Sequence, residues 1–493
     1  MSDTITIPGY SADNRNPGVY FALDNSKANT ATAARRVLII AGMLASGTAT
    51  SGIAELSLGA TDAASKYGVG SQAARAVSWY RAIDTQGEVW VMGLSDDPSA
   101  VAATGSFTIA GTASASGTLS LYIGDQLVST LVTAGDTAAT VAGNVVASAQ
   151  AISGLAVTMA VDGTNAGKVN VTALNKGLAG NDTLLSVSLL GTAGGQSVPA
   201  GLSVTISQMA GGTANPTALA GALASMGERV YDLVIHPYTD SGSLTALKTA
   251  LASRWSPMSQ LYGHAITAYR GTYGQATAFG MAQNDPHATI MPISDSASDP
   301  LRWAAELGAQ VALSMRANPA IPITALALNV MPPSDAGRFT FDERNSLLHD
   351  GLSTHRIGDD GTVTIERLIT TYQKNATGQP DNSYLGIETM MQATVCLQDM
   401  AAYLAQTCLG AILVADGAKI SAGTKVMTAQ LVGKQCVARY RWQAAQYWVQ
   451  NPDNFAANLV AQNVGNGVVK LSMPYDFAGQ LWIIAGTAQF VKS

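Results

Sequence analysis

The sequence predicts an α/β protein with a mostly parallel sheet at its core, an inserted β-rich domain, and an α+β C-terminal domain with extended terminal arms. Three observations predict it. Short apolar runs alternate with helical repeats over residues 35–98 and again over 213–335. Composition breaks at Asp97-Pro98 and reverts after Gly212, which marks residues 99–212 as an insertion. After residue 336 the alternation gives way to a capping box, a hairpin and long helices, up to residue 478. Residues 1–34 and 479–493 are left over as arms.

Residues 1–34 contain Pro8-Gly9 and Pro17-Gly18, small polar residues and no helical period, so they read as an extended arm. Arg36–Ala41 is an apolar run closed by Gly42, a buried strand. Ser71–Ile83 repeats apolar residues at helical spacing, and Glu88–Gly93 is again a strand. Inside the insertion, β-type runs recur at Leu119–Ile123, Leu155–Val161, Lys168–Ala173, Thr183–Leu190 and Leu202–Ile206, with one helix over Thr137–Ala151. Beyond Gly212 come helix Pro216–Met226, strand Val230–His236, helix Leu244–Trp255, strand His264–Tyr269, helix Tyr273–Gln283 and strand Ala288–Ile293. Arg302–Arg316 is a helix opened by Asp299-Pro300. Thr340-Phe341-Asp342-Glu343 is a capping box, in which hydroxyl and carboxylate each satisfy a free backbone N–H. Ser353–Ile357 and Val363–Tyr372 pair around Asp360-Gly361. Helices follow at Tyr384–Gln406 and Val437–Trp448, then strands at Val468–Ser472 and Gln480–Val491.

Only 12% of the 493 residues are charged, net −6, against roughly a quarter in ordinary soluble domains. No basic footprint exists to neutralise phosphates, so nucleic acid is not an expected partner. A weakly charged surface suits a protein covered by copies of itself. Neither a secretory signal nor a membrane span is visible. Cys396, Cys408 and Cys436 form no CxxC and are expected to be buried free thiols. From residue 401 onward there are seven bases and three acids, net +4, which leaves −10 for the remainder. A basic face meeting an acidic partner is the functional reading of that asymmetry.

Few segments carry the marks of chemistry. Gly68-Val69-Gly70-Ser71-Gln72-Ala73 matches GxGxxA, but no strand precedes it, so a helix start is the better reading than a dinucleotide site. His236 with Asp232, Asp240 and Ser241 is the one cluster suggesting acid–base or nucleophilic work, at a strand's carboxyl end. Asp162-Gly163-Thr164-Asn165 and Gly180-Asn181-Asp182 read as hairpin turns, since no bidentate carboxylate closes a calcium loop. No metal or cofactor is expected. Trp442 and Trp448, near Arg439 and Arg441, suit core packing or an interface equally.

Several segments, in order along nearly the whole chain, resemble the tail sheath proteins of Mu-like contractile phages. They are Asn16-Pro-Gly-Val-Tyr20, Arg36-Val-Leu-Ile-Ile-Ala-Gly42, Pro300-Leu-Arg-Trp-Ala-Ala-Glu306 and Glu343-Arg-Asn-Ser-Leu-Leu-His-Asp-Gly351. Asp360–Tyr372, Asp381–Leu385, Asp416-Gly417, Pro452-Asp-Asn-Phe455 and Gln480-Leu-Trp-Ile-Ile-Ala485 continue the match. Around Leu397–Gln406, where relatives tend to carry arginines, this chain has Gln398, Ala402 and Gln406.

The resemblance implies a non-catalytic core of subtilisin-like topology and a homo-oligomer of hexameric rings stacked helically on a tail tube. Baseplate and tail terminator proteins are the further partners it implies, and the virion, after synthesis in the host cytoplasm, is the location. It also implies arms that add strands to neighbouring subunits, with Pro17, Gly18, Val19, Tyr20, Leu481, Trp482, Ile483 and Ile484 as contact residues. Combined with the charge asymmetry, it makes Lys419, Lys425 and Lys434 the tube-facing candidates. An α/β hydrolase-like peptidase with a β-rich accessory domain and a bacterial contractile injection sheath are the competing readings.

Overall fold

The computed structural model describes residues 35–420 and 424–489. The N-terminal arm expected at 1–34, with Pro17, Gly18, Val19 and Tyr20, lies outside them. The described chain opens with β1 (Arg36–Gly42), β2 (Ala54–Leu56), α1 (Ala60–Tyr67), α2 (Gln72–Ile83) and β3 (Glu88–Leu94). β1 runs parallel to β3 in unbroken register from Arg36 opposite Glu88 to Gly42 opposite Leu94. The short β2 closes that edge antiparallel to β3.

The insertion holds β4 (Thr104–Gly111), β5 (Gly117–Ile123), β6 (Gln126–Val132), α3 (Ala138–Gln150), β7 (Val157–Val161), β8 (Lys168–Ala173), β9 (Leu185–Val187) and β10 (Leu202–Ala210). Two antiparallel sheets, ordered β10-β4-β8-β7 and β6-β5-β9, enclose with α3 an apolar core of their own. Val101 and Thr213 hydrogen-bond each other's backbones in both directions, at 3.2 and 3.3 Å, where the chain leaves and rejoins the core. β4 and β6 were not among the expected strands. Of Thr183–Leu190 only Leu185–Val187 pairs. Gly180-Asn181-Asp182 is no hairpin turn but the end of a 3-10 helix over Leu178–Asp182. The Asn181 amide explains this: it exchanges hydrogen bonds with Gly212 at 2.8 and 2.9 Å, holding the turn against the chain's return.

The core resumes with α4 (Leu219–Ser225), β11 (Leu233–Ile235), α5 (Ser241–Arg254), β12 (His264–Tyr269), α6 (Tyr273–Met281), β13 (Ala288–Pro292) and α7 (Pro300–Ala317). Strand order in the central sheet is β13-β12-β11-β1-β3-β2, parallel throughout except for β2. The apolar run of β1 from Val37 to Ala41 fits its middle position, because alternate residues face opposite sides and both sides are covered. Val37, Ile39 and Ala41 pack with α2 and α7 residues. Leu38 and Ile40 pack with α4 and α5 residues. α7 starts where expected: the Asp299 carboxylate accepts from the Leu301 amide at 2.9 Å, and Pro300 needs no donor there. It lies so close to the sheet that a Cβ on Gly308 would stand 2.4 Å from the Ile235 side chain.

The last third comprises β14 (Ala327–Leu328), α8 (Phe341–His349), β15 (Thr354–Ile357), β16 (Val363–Arg367), α9 (Ile387–Thr407), β17 (Ile412–Leu413), β18 (Val426–Met427), α10 (Ala429–Ala445), α11 (Pro452–Asn458), β19 (Val460–Asn463) and β20 (Val469–Ser472). The capping box at Thr340 and Glu343 forms in both directions. Gly361 supplies the left-handed turn of the β15–β16 hairpin, at φ 81°. Apolar packing does not break at residue 336, because Val363, Ile365, Ile387, Met391 and Val395 still belong to the core under α7. A separate core begins at Cys396, with Met400, Cys436, Tyr440 and Phe455. Cys396 and Cys436 are buried as expected, while Cys408 is half-buried.

Two expectations need correction here. The helix expected at Val437–Trp448 starts eight residues earlier, because the Thr428 hydroxyl accepts from the Leu431 amide at 3.2 Å and caps it. The strand expected at Gln480–Val491 does not form over the described residues, which end at 489. Its backbone finds no strand to pair with, and an unpaired extended segment is not a strand.

Candidate functional surfaces

An α/β enzyme would place its site at the carboxyl edge of the parallel sheet, near the switch point between β1 and β11. That edge is occupied by the insertion. The Asn175 side-chain oxygen accepts from the Gln72 amide at 2.9 Å, at the first turn of α2, and its nitrogen donates to the Met43 carbonyl at 3.1 Å. A Cβ on Gly70 would stand 2.5 Å from the Leu155 carbonyl, so the glycine-rich stretch admits the insertion's backbone rather than a phosphate. Asp125 accepts from the Ser298 hydroxyl at 2.6 Å and from Arg302 at 2.7 Å. Arg270, just past β12, donates to the carbonyls of Ser294, Ser296 and Ser298. Burial pushes the nearby Asp182 carboxyl up to about 6, with Arg270 opposing the rise and Asp299 adding to it.

The His236 cluster does not converge. His236 is buried, its Nδ1 accepts from the Tyr238 amide at 3.3 Å, and burial pushes its pKa down to about 4. Asp232 faces away, accepting from Arg35 at 3.2 Å and from the Arg36 amide at 2.9 Å. Asp240 caps α5 through the Ser243 amide at 2.9 Å. The base and both acids are therefore engaged separately, and no acid orients His236 towards Ser241. Asp162 closes the β7–β8 hairpin as expected, accepting from the Thr164 and Asn165 amides at 2.9 Å each. Among the described residues no group of three or more His, Cys, Asp or Glu is placed to hold a metal ion. No helix among them is long and apolar enough to cross a membrane.

Several surfaces suited to contact between molecules lie in the last hundred residues. Leu481, Ile483 and Ile484 are 73%, 78% and 85% exposed on the unpaired terminal segment. Trp482 instead turns inward, with the Arg367 guanidinium 5.0 Å over its ring. The β19–β20 hairpin is a two-stranded sheet, so each of its strands has an open side. Lys419, Lys425 and Lys434 are all exposed. Lys425 also donates to the Leu409 carbonyl at 2.7 Å, at the end of α9. Of the other bases in the positive region, Arg439 pairs with Asp399, and Arg441 with Asp453 at 3.2 Å. Trp442 is exposed beneath the Arg439 guanidinium, at 3.8 Å, whereas Trp448 packs between the two cores.

A closed carboxyl edge together with an open C-terminal surface fits an assembly protein, and the comparisons with known proteins agree. Residues 211–371 match the family described as phage tail sheath protein central domain. The chain is 31% identical over 481 residues to the Mu-like prophage FluMu tail sheath protein of Haemophilus influenzae, covering 97% of each. The chain belongs to the Mu-like phage tail sheath family. It is thus a structural component of a contractile tail and not an enzyme, which sets aside the peptidase reading. Among solved structures, the sheath tail protein of Listeria innocua is 11% identical over 90% of this chain and 92% of its own, with a TM-score of 0.49. That of Desulfitobacterium hafniense is 12% identical over 93% and 100%, with a TM-score of 0.46.

Proposed function

We propose that this subunit assembles as hexameric rings stacked helically around a tail tube, and that contraction of the stack drives the tube through the host envelope for genome ejection. The observation that carries this reading is the C-terminal segment: apolar, extended, exposed and unpaired, on a molecule that also offers an open two-stranded hairpin. An exposed row of unpaired backbone groups beside Leu481, Ile483 and Ile484 is a hazard in a monomer and a connector in a polymer. A neighbour's arm completing that hairpin would tie subunits together while leaving their bodies free to turn as rigid units. Residues 1–34, with Pro17, Gly18, Val19 and Tyr20, act as the second connector.

In this reading residues 35–98 with 213–335 form the scaffold, of subtilisin-like topology but without its chemistry. Residues 99–212 form an outer domain, 336–478 the assembly domain and 479–493 the C-terminal arm. The tail tube contacts Lys419, Lys425 and Lys434, while baseplate and tail terminator proteins meet the ends of the stack. Negative-stain microscopy of the purified full-length protein is the direct test. Rings or tubes are expected, and a protein that stays monomeric at high concentration, with or without tube protein, would refute the assembly.

A further inference from the structure

We propose that α9 is the common anchor of the two chain ends, with Gln398 and Gln392 as the positioning residues that set how each end leaves the subunit. The proposal rests on the arm-linked assembly above. Residues 1–34 join the described chain at Arg35. The Arg35 guanidinium donates to the Gln398 side-chain oxygen at 2.5 Å and to Asp232 at 3.2 Å. The same Asp232 accepts from the Arg36 amide at 2.9 Å, so the first residues of β1 are held to α9 by one buried carboxylate and one amide.

The other end is held in the same way. Gln392 is fully buried, and its nitrogen donates to the carbonyls of Trp448, at 3.0 Å, and Ala478, at 2.9 Å. Its oxygen accepts from the Gln480 side chain at 3.1 Å. Two donor hydrogens and the acceptor are all in use, a geometry that few other side chains could supply. Past Gln480, Trp482 rests on Arg367, and the exposed Ile483 and Ile484 follow.

Gln392 and Gln398 are six residues apart, about 9 Å along one helix and roughly a third of a turn around it. A pull on either end therefore reaches the same 21-residue rod through a side-chain amide, in parallel with the covalent path into β1 at the N-terminal end. Rigid-body movement of subunits that stay linked by their ends needs such a load path.

The test combines hydrogen–deuterium exchange on the full-length chain with sheath length measured by negative-stain microscopy. Q398A should raise exchange in peptides covering the start of β1 at least tenfold. Q392M should do the same for peptides covering residues 478–482, each with the rest of the molecule unchanged. Both should shorten sheaths. Should Q392M fail to fold, Q480A loosens the same end from its accessible side and takes its place. Unchanged exchange at the ends, or normal sheaths despite loosened ends, overturns the proposal. A chain lacking residues 1–20 separates the two readings. If it assembles normally, the arm reading fails. If it does not, while the glutamine variants assemble like the wild type, only the α9 anchor fails.

Discussion

The side-chain oxygen of Asn175, in the insertion, lies 2.9 Å from the backbone amide of Gln72, the first residue of α2. A helix N-terminus leaves amides without internal partners, and in nucleotide-binding α/β proteins a phosphate takes them. Here an asparagine from a different part of the chain does so. The glycine-rich stretch before α2 thus serves packing, and the sheet edge that would host chemistry is sealed from within the same polypeptide.

Asn175→Ala should leave the Gln72 amide and the Met43 carbonyl buried without partners, since Asn175 is only 5% exposed. A loss of about 2 kcal/mol is expected in urea unfolding, within the usual cost of orphaned buried groups. A change below about 0.5 kcal/mol would mean that water replaces the side chain. Removing residues 101–212 with a short linker takes away Asn175 and Asp125 together, so the shortened chain should fold but melt well below the parent.

The core was legible in the sequence because its signals are local. The RVLIIAG run of β1, the Asp299-Pro300 start of α7 and the Thr340/Glu343 box each depend on neighbours within a few residues. What sequence could not convey was distance-spanning geometry. Asn175 reaches Gln72 across 103 positions, and nothing around Asn175 marks it as a plug. The short pairs β17–β18 and β14–β16 are two residues long and form only because tertiary packing presents a partner. The terminal strand was misread for the converse reason: its sequence is strand-like, but pairing requires a second chain segment.

Asp182 should make stability depend on pH. Its carboxyl is raised to about 6, from 3.8, chiefly by burial, so the folded state holds the proton more tightly than the unfolded chain. Stability is therefore gained as pH falls from above 6 towards 4, and ionised Asp182 destabilises the fold above 6. Asp182→Asn should melt higher than the parent at pH 8 and close to it at pH 4. Arg270 loses a neighbouring anion in this variant only where Asp182 is ionised, which would reduce the gain at pH 8 and leave pH 4 unaffected. A pH-independent offset alone would argue against the titration.

The two terminal segments should matter to assembly and hardly at all to the monomer. Replacing Leu481, Ile483 and Ile484 by Ser removes no core contact, because all three are mostly exposed. The monomer's melting temperature should shift by no more than about 1 °C, as expected for surface changes within ±0.5 kcal/mol. Sheath formation should drop sharply. A chain lacking residues 1–20 should behave likewise, folded and soluble but poor at assembly. Full-length sheaths from either variant would show that the ends are not connectors.

The grip on the tube should be electrostatic. From residue 401 onward the chain is +4, while the rest is −10, and a sheath must turn some face inward. Charge suits that face, because opposite charges fix register without interlocking shapes and still let the sheath slide when it contracts. Each exposed pair is worth only about 0–1 kcal/mol, so the hold comes from repetition over many subunits and weakens with salt. Lys419 and Lys434 are exposed with no acid among the described residues paired to them, whereas Arg439 and Arg441 already have carboxylates. Lys425 is exposed too, but its bond to the Leu409 carbonyl also holds the end of α9. Reversal of all three to Glu should leave empty contracted tubes forming and make extended sheath on a tube rare. Lys425→Met is the control for local loosening, and it should assemble on the tube nearly as well as the parent. Normal extended assembly by the triple variant, at low salt and in the presence of tube protein, would remove these lysines from the tube-facing surface.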